Sequence, residues 1–486
     1  MSHILAIDLG TSSVKVALVN TDSFTTSGLA SSEYIIHHPK PDYAEQQPDE
    51  WWQATLEASR KVLKNNSAEI TAISLSGQMH GMVCLDDELN PFHPAVIWAD
   101  GRSAKQVHDL IAFQKNSPST LPGLPALGFA ASTALWFKQN HPEILSKTAK
   151  WCLPKDYLGL KLTGQVVTDL SDAASTWLYD IKKEAWAEDV MAFCGLSASQ
   201  MPVVKPSASI VGTLTFEAAE ELGLASGIPV IVGTADLPAQ ALGQGIRNPD
   251  TILITVGSGG QLFIPTAEPL IDNDNYYVFN SNIANAWYIQ GAILSAGLSL
   301  RWLRDLLDLS EQQDAYEYLS ELSQSIHAGA DGLIFLPYLA GERNAERGSL
   351  ATGMFFGLNL HHQKAHLSRA VMEGVAFALK HILEQLPVSP QRFILAGGIT
   401  QSNVWCQILA DILSCQLEAS TDNQPHGCIG ASILAATALG ETTIEAATSK
   451  LERSTKKIYT PSSNQIYLDN YHKYKQLHGA MIKVNS

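Results

Sequence analysis

One pattern occurs twice in the chain and limits its possible folds more than any other feature: an apolar strand that runs straight into a Gly/Ser/Thr turn and then into a second strand-like stretch. The first copy is Ile4-Leu5-Ala6-Ile7-Asp8-Leu9-Gly10-Thr11-Ser12-Ser13-Val14-Lys15, continuing through Val16-Ala17-Leu18-Val19. The second is Thr251-Ile252-Leu253-Ile254-Thr255-Val256-Gly257-Ser258-Gly259-Gly260-Gln261, continuing as Leu262-Phe263-Ile264. β-Branched residues favour the strands, and the small polar runs favour tight turns between them. Two such hairpins, about half a chain apart, predict two similar α/β halves, residues 1–245 and 246–486. The division falls in the loop residues Gly243-Gln244-Gly245-Ile246-Arg247-Asn248-Pro249-Asp250. Two halves facing one another make a cleft.

The 486 residues are 45% hydrophobic and 16% charged, enough apolar side chains to build several cores and too many for a disordered chain. With 32 basic against 48 acidic residues the net charge is −16, which argues against a nucleic-acid or anionic-membrane surface. A phosphate ligand therefore has to be held by local chemistry. No stretch approaches a membrane span, and the first ten residues lack the pattern of a secretory signal, so a cytoplasmic protein is expected. Cys84, Cys152, Cys194, Cys406, Cys415 and Cys428 are scattered without a C-x-x-C pair, which points to buried free thiols rather than disulfides or zinc. Helices are predicted from Pro48-Asp49-Glu50-Trp51 onward and from His366 to Leu386, ending before Pro387. In the tail, Tyr467, Tyr471 and Tyr474 at i, i+4 and i+7 predict a helix that packs back on the body.

Several segments could carry chemistry. Asp8, at the end of a buried strand beside a turn rich in amides and hydroxyls, suits a phosphate with its magnesium: the turn holds the anion and the carboxylate orients the metal's water shell. The Gly257-Ser258-Gly259-Gly260 turn offers a second such cradle. Pro229-Val230-Ile231-Val232-Gly233-Thr234-Ala235-Asp236 is another strand ending in a carboxylate, able to accept a proton from a substrate hydroxyl as its oxygen attacks phosphorus. The same Asp236 before Leu237-Pro238 also reads as a helix cap. In Ser76-Gly77-Gln78-Met79-His80-Gly81-Met82, Gln78 and His80 could hold a polyhydroxy ligand with Met79 against its carbon face, or form an ordinary turn. Trp98, Asp100 and Arg102 combine an aromatic, an acid and a base suited to sugar hydroxyls, although a plain ion pair explains the charges equally. Ala396-Gly397-Gly398-Ile399 followed by Ser402-Asn403 is a strand, a Gly-Gly turn and a helix start where adenine or ribose could lie close to backbone.

Together these segments resemble the FGGY carbohydrate kinase family, and the Gln78-Met79-His80 loop with Trp98-x-Asp100-Gly101-Arg102 is similar to its xylulokinase branch. The resemblance runs nearly end to end through Ala44 to Trp52, Leu153 to Leu158, Thr168 to Ala174, Phe335 to Arg343 and Gly353 to Leu358. It implies an α/β fold of two actin-like, ribonuclease H-like domains flanking a central cleft, a sugar bound mainly by the first half and ATP by the second. It implies γ-phosphoryl transfer from ATP to a sugar or polyol hydroxyl, with Asp236 as catalytic base and Asp8 serving the magnesium-nucleotide. Met79 and His80 fall on xylulose-binding positions. Thr11, Ser258, Gly297, Gly398 and Ser402 fall on or beside nucleotide-binding ones, and Ser12, Lys15 and Gly257 of the two hairpins are expected to join them in holding the phosphates. Gly297 ends Gly291-Ala292-Ile293-Leu294-Ser295-Ala296-Gly297, which looks like the family's helix beneath the nucleotide. The family often dimerises, but no apolar stripe identifies an interface.

Four departures bear on substrate choice. Leu237 stands where the family has Asn or Gln after its base, and Ala99 where the xylulokinase pattern has Asn. Asn344-Ala345 replaces Thr-Pro, and Ile399 replaces a third glycine beside the adenosine. Losing donors that pair with substrate hydroxyls shifts specificity, so a kinase for another ketose or a polyol such as glycerol stays open beside D-xylulose. A sugar-binding regulator without turnover and an actin-like ATPase are further alternatives. The first leaves both carboxylates unexplained, and the second leaves the Gln78-Met79-His80 loop unexplained.

Overall fold

The computed structural model describes residues 2–64, 66, 68–271, 275–341, 351–420, 424–451 and 456–485. The departure at Asn344-Ala345 lies outside them.

Each predicted hairpin nucleates a sheet. In the first half, β1 (Ser2–Leu9) turns into β2 (Ser13–Asn20) and then β3 (Thr26–Glu33), all antiparallel. On the other side of β1 lie the parallel strands β4 (Glu69–Gly77) and β6 (Pro229–Ala235), with β5 (Ile210–Thr213) at the edge, giving the order β5-β6-β4-β1-β2-β3. The second half repeats the plan. β7 (Thr251–Val256) pairs antiparallel with β8 (Gly260–Thr266), which pairs with β10 (Trp287–Ile293), itself flanked by β9 (Tyr277–Asn280). Parallel β11 (Arg392–Ala396) and β12 (Leu417–Ser420) follow on the other side of β7, then antiparallel β13 (Lys456–Tyr459). The resulting order is β9-β10-β8-β7-β11-β12-β13. In both sheets the hairpin strand that leads into the small-residue turn is interior, with a strand paired on each side of it.

The helices obey local rules. α1 (Pro48–Lys64) opens with Pro48, has Asp49 and Glu50 in its first turn and Lys61 and Lys64 in its last, each placed favourably in the helix dipole. α7 (Lys364–Leu383) is the long buried helix of the second half. The tail forms α10 (Gln465–Asn485), whose Tyr471 and Tyr474 rings lie 5.8 and 5.7 Å from that of Phe377.

One segment differs from the sequence expectation. Gly291 to Ile293 finish strand β10, Leu294 to Ala296 turn, and helix α5 (Gly297–Leu306) begins only at Gly297. The apolar Gly291-Ala292-Ile293 pairs with Leu262, Gln261 and Gly260, so a free edge of β8 decided the conformation.

The two halves are stitched by helices. α9 (His426–Ala438), buried on all sides along most of its length, belongs by sequence to the second half yet packs on β1, β4 and β6 of the first sheet. It crosses α4 (Asp236–Leu242) at glycine contacts: a Cβ on Gly430 would stand 2.0 Å from the Ala239 carbonyl oxygen. A long excursion between β4 and β5, which includes helices α2 (Ala130–Asn140) and α3 (Leu170–Ser175), forms the wall over the first sheet and touches the second, with Val278 N–H donating to Pro122 O (2.8 Å) and Trp287 Nε1–H to Ile181 O (3.0 Å). All six cysteines are free and five are buried. No described helix is long and apolar enough to cross a membrane.

Candidate active site

The first hairpin and the Gln78 loop interlock. Gln78 N–H donates to Leu9 O (2.7 Å), and the fully buried Gln46 joins the two: its Nε2 donates to Thr11 O (2.7 Å) and its Oε1 accepts from Gln78 Nε2 (2.9 Å). Trp98 adds a second link, its indole N–H donating to Thr11 Oγ1 (2.9 Å). Gln78 Oε1 is buried with no protein partner among the described residues, an acceptor that suits a ligand hydroxyl.

His80 is held in an uncommon conformation, φ +72°, with its ring stacked on Phe129 at 4.3 Å and within 6.1 Å of Phe279 from β9. Its Nδ1 lies 2.7 Å from Ser175 O. A carbonyl only accepts, so Nδ1 carries a proton. Met79 is buried beside it. Asp100 and Arg102 behave differently. Both Asp100 oxygens are taken, by the amides of Ala44 and Arg102 and by the Arg102 guanidinium. Arg102 also pairs with Glu45 at 2.6 Å and lies 3.7 Å over the Tyr43 ring. The plain ion pair is therefore formed, and it braces the loop that carries Trp98.

Asp8 sits across β1 from Lys15, and its Oδ1 accepts from Ser76 Oγ at 2.8 Å. Burial raises its carboxyl above the ordinary range, partly offset by Ser76 and by the charge of Lys15. Ser12 and Lys15 are exposed and Thr11 partly so. Asp236 is the first residue of α4, and its Oδ1 accepts from the Leu237 amide at 2.7 Å. Leu237 itself is 1% exposed and turned into the core, while Ala99 is exposed.

The remaining nucleotide candidates converge. Gly257, Ser258, Gly297, Gly398 and Ser402 line one cavity of about 770 Å³. Close packing explains Gly297, where a Cβ would lie 2.3 Å from Gly257 O, and the adjoining Gly397, at φ +89°, where one would lie 2.5 Å from Val256 O; around Gly257 and Gly398 there is room for a side chain. Ser402 caps helix α8 (Asn403–Leu413) through the Trp405 amide and meets Ser320 at 2.9 Å. Ile399, 2% exposed, also lines this space. Sequence reading missed the opposite wall, where α6 (Ala315–Gln324) contributes Tyr316, Glu317, Ser320, Glu321 and Gln324, and α5 contributes Arg301. Nothing local in those helices signals a ligand.

Sequence reading also assigned no role to a buried charge cluster behind Asp236. Lys155 Nζ lies 2.7 Å from Asp156, 3.5 Å from Asp169 and 3.4 Å from Asp172, all within the core. Burial disfavours its charge, but the three carboxylates outweigh this and raise it above the ordinary lysine range. Burial likewise pushes Asp172 well above the usual carboxylate range. The signal was present in Lys155-Asp156 and in Thr168 to Ala174, where charged residues stand within apolar runs.

Comparison with known proteins agrees with this geometry. The model of the N-terminal domain of the FGGY family of carbohydrate kinases matches residues 3–243, and that of its C-terminal domain matches residues 252–439. The chain is 34% identical over 443 residues to xylulose kinase of Staphylococcus xylosus, covering 90% of this chain and 91% of that protein. It is 34% identical over 437 residues to xylulose kinase of Escherichia coli, covering 89% of each. The structure of ligand-bound xylulose kinase from Lactobacillus acidophilus superposes with a TM-score of 0.90 at 26% identity, over 99% of this chain and 98% of that one.

Proposed function

This chain belongs to the FGGY family of carbohydrate kinases and is a phosphotransferase of the actin-like two-domain fold; from that membership we propose that it transfers the γ-phosphoryl of magnesium-ATP to D-xylulose, giving D-xylulose 5-phosphate. The observation that carries the reading is that Asp236 follows directly on Ala235, which pairs with Gly77 at the start of the Gln78 loop, in a chain whose other candidates, Gly257, Ser258, Gly297, Gly398 and Ser402, line one cavity of about 770 Å³. The named relatives, xylulose kinases matched along nine-tenths of the chain, support the choice of sugar.

In this mechanism the sugar lies against Met79 and Trp98, with its hydroxyls on Gln78 Oε1 and His80 Nε2. Asp236 accepts the proton of the attacking hydroxyl. Its Oδ1 is tied to the Leu237 amide, so the carboxylate plane is fixed before the sugar arrives. Asp100 and Arg102 act by holding the Trp98 loop. The nucleotide occupies the cavity between α6 and the Gly397-Gly398 turn, its phosphates directed toward Thr11, Ser12, Lys15, Gly257 and Ser258. Asp8 fits a magnesium ion, being a partly buried carboxylate with one oxygen on Ser76 and a surrounding whose strain on the bare charge a cation would relieve. Bound there, the ion would neutralise phosphate charge during transfer. Because Leu237 is turned into the core, its loss of polarity removes no donor from the pocket as it stands. Unpaired thiols suit a reducing, cytoplasmic setting.

The test is ADP release from magnesium-ATP with D-xylulose, L-xylulose, D-ribulose, L-ribulose, glycerol and D-gluconate, with Asp236→Asn as control. Turnover fastest on D-xylulose and lost in the control is the expected result. Turnover fastest on another acceptor would overturn the sugar, and full turnover in Asp236→Asn would overturn the base.

A further inference from the structure

Strand β6 reaches Asp236 through an irregularity. Val230 and Ile231 pair with Ile73 and Ser74 of β4, whereas Thr234 and Ala235 pair with Ser76 and Gly77, so β6 carries one extra residue at Val232-Gly233. Gly233 has φ +72°, and a Cβ there would stand 1.7 Å from Leu75 O. Such a bulge re-aims the chain beyond it. Here that chain is Thr234, Ala235 and then Asp236, the first residue of α4.

At the bulge the Val232 and Gly233 amides donate to Ser209 O (2.9 Å) and Ser207 O (3.1 Å), and the two residues beyond are held from behind by one side chain. Ser171, in the short helix α3 (Leu170–Ser175), accepts from Ala235 N–H at 3.1 Å and lies 2.8 Å from Thr234 Oγ1. Its Oγ also lies 2.6 Å from Asp169 Oδ2. A carboxylate without a proton can only accept, so the single hydroxyl proton of Ser171 goes to Asp169, and Thr234 donates to Ser171. Ser171 thus spends its one donor and both lone pairs, all fully buried. Asp169 Oδ2 is fixed in turn by Ser207 Oγ (2.9 Å) and the Ser171 amide (2.9 Å), and its other oxygen faces Lys155. Lys155 Nζ closes the circuit on Val232 O at 3.3 Å, on the far side of the same bulge.

We infer that Ser171 is a positioning residue for Asp236: with Asp169 and Lys155 behind it, it clamps the bulge on both sides and sets the direction in which the carboxylate meets the sugar hydroxyl. The inference rests on the reading of Asp236 as base. Ser171 touches the backbone one residue before Asp236, so its removal moves the base without removing any group that binds sugar or nucleotide.

The experiment compares Ser171→Ala, Thr234→Val, Thr234→Ser and Asp236→Asn in the full chain, on whichever acceptor the wild type turns over fastest. Readouts are kcat, KM for acceptor and ATP, and the stoichiometry of acceptor binding by calorimetry, which counts folded sites. A base displaced by a fraction of an ångström predicts a kcat about 10- to 100-fold lower in Ser171→Ala and in Thr234→Val, with both KM values and the binding stoichiometry near wild type. Thr234→Ser, which keeps the hydroxyl, should retain most of the wild-type kcat. Wild-type kcat in Ser171→Ala, with Asp236→Asn inactive, would overturn the clamp and leave the base intact. Full activity in Asp236→Asn would instead remove the reading on which the clamp depends. A kcat loss matched by an equal loss of binding sites would make Ser171 a scaffold residue and overturn the positioning role. If Ser171→Ala does not fold, the nearly isosteric Thr234→Val decides by the same criteria.

Discussion

Gly427 stands with its Cα against the carboxylate of Asp8, so close that a Cβ there would lie 2.5 Å from Oδ2 and 2.9 Å from Cγ. The contact joins the first turn of α9, from the second half of the chain, to the strand-end acid of the first. Asp8 is therefore confined by Ser76 on one side and by a helix that belongs to the other domain on the other.

Gly427→Ala should force either Asp8 or the helix to move. The expected outcome is a loss of at least about tenfold in kcat/KM for magnesium-ATP, with acceptor binding little changed, because a shift of one oxygen is enough to misplace the charge. Steady-state kinetics across a magnesium series checks it. Wild-type kinetics would show that the methyl is absorbed elsewhere.

The pH dependence of Asp8 has a definite sign. Burial, opposed by Ser76 and Lys15, leaves its folded pKa above the ordinary 3.8. A raised carboxyl favours the fold at low pH, and that contribution is lost as pH rises through the folded value. Asp8→Asn should thus be more stable than wild type at neutral pH in the absence of nucleotide, the gap closing as pH falls toward the unfolded value. Thermal melts of both proteins from acid to neutral pH test this. For turnover, which needs the carboxylate, the acid limb should sit above the ordinary carboxylate range and move down as magnesium is raised.

What could be read from the sequence was what is local. The two hairpins are strand and turn chemistry repeated, so both sheets and the placement of Asp8, Asp236 and the Gly397-Gly398 turn were legible. What depends on distant chain was not. Gln46 binds Gln78 from another strand, Gly427 meets Asp8 from the other half, and α6 walls the cavity lined by Gly297 and Gly398 without any local mark. Gly291 to Gly297 misled for the same reason. A small-residue stretch fits helix or strand, and the waiting edge of β8 chose strand for its first part.

The buried ion pair beneath the Trp98 loop predicts a particular ordering of stabilities. Arg102, with its side chain 2% exposed, serves Asp100 and Glu45 together. Arg102→Ala leaves Asp100 buried with only backbone amides, at a cost of about 3–5 kcal/mol. Arg102→Ala/Asp100→Asn should be more stable than the single variant because the stranded charge is gone. Denaturant unfolding of the three proteins decides. A double variant less stable than Arg102→Ala would mean that Asp100 is held chiefly by the amides of Ala44 and Arg102.

The proposed contact between His80 and the sugar is open to a paired measurement. Nδ1 lies against Ser175 O and the ring is stacked on Phe129, so the proposed contact with a sugar hydroxyl falls to Nε2. His80→Asn keeps a residue that tolerates φ > 0 but shortens the reach. Acceptor KM should rise at least about tenfold while ATP KM stays near wild type, consistent with loss of a hydrogen bond in a buried site. The sharper measurement uses deoxy analogues of the preferred acceptor. The analogue that lacks the hydroxyl facing His80 should lose activity with the wild type yet lose little more with His80→Asn, because the interaction is already gone. If every analogue suffers the same proportional loss in both proteins, His80 shapes the loop through Ser175 and Phe129 and makes no hydrogen bond to the sugar.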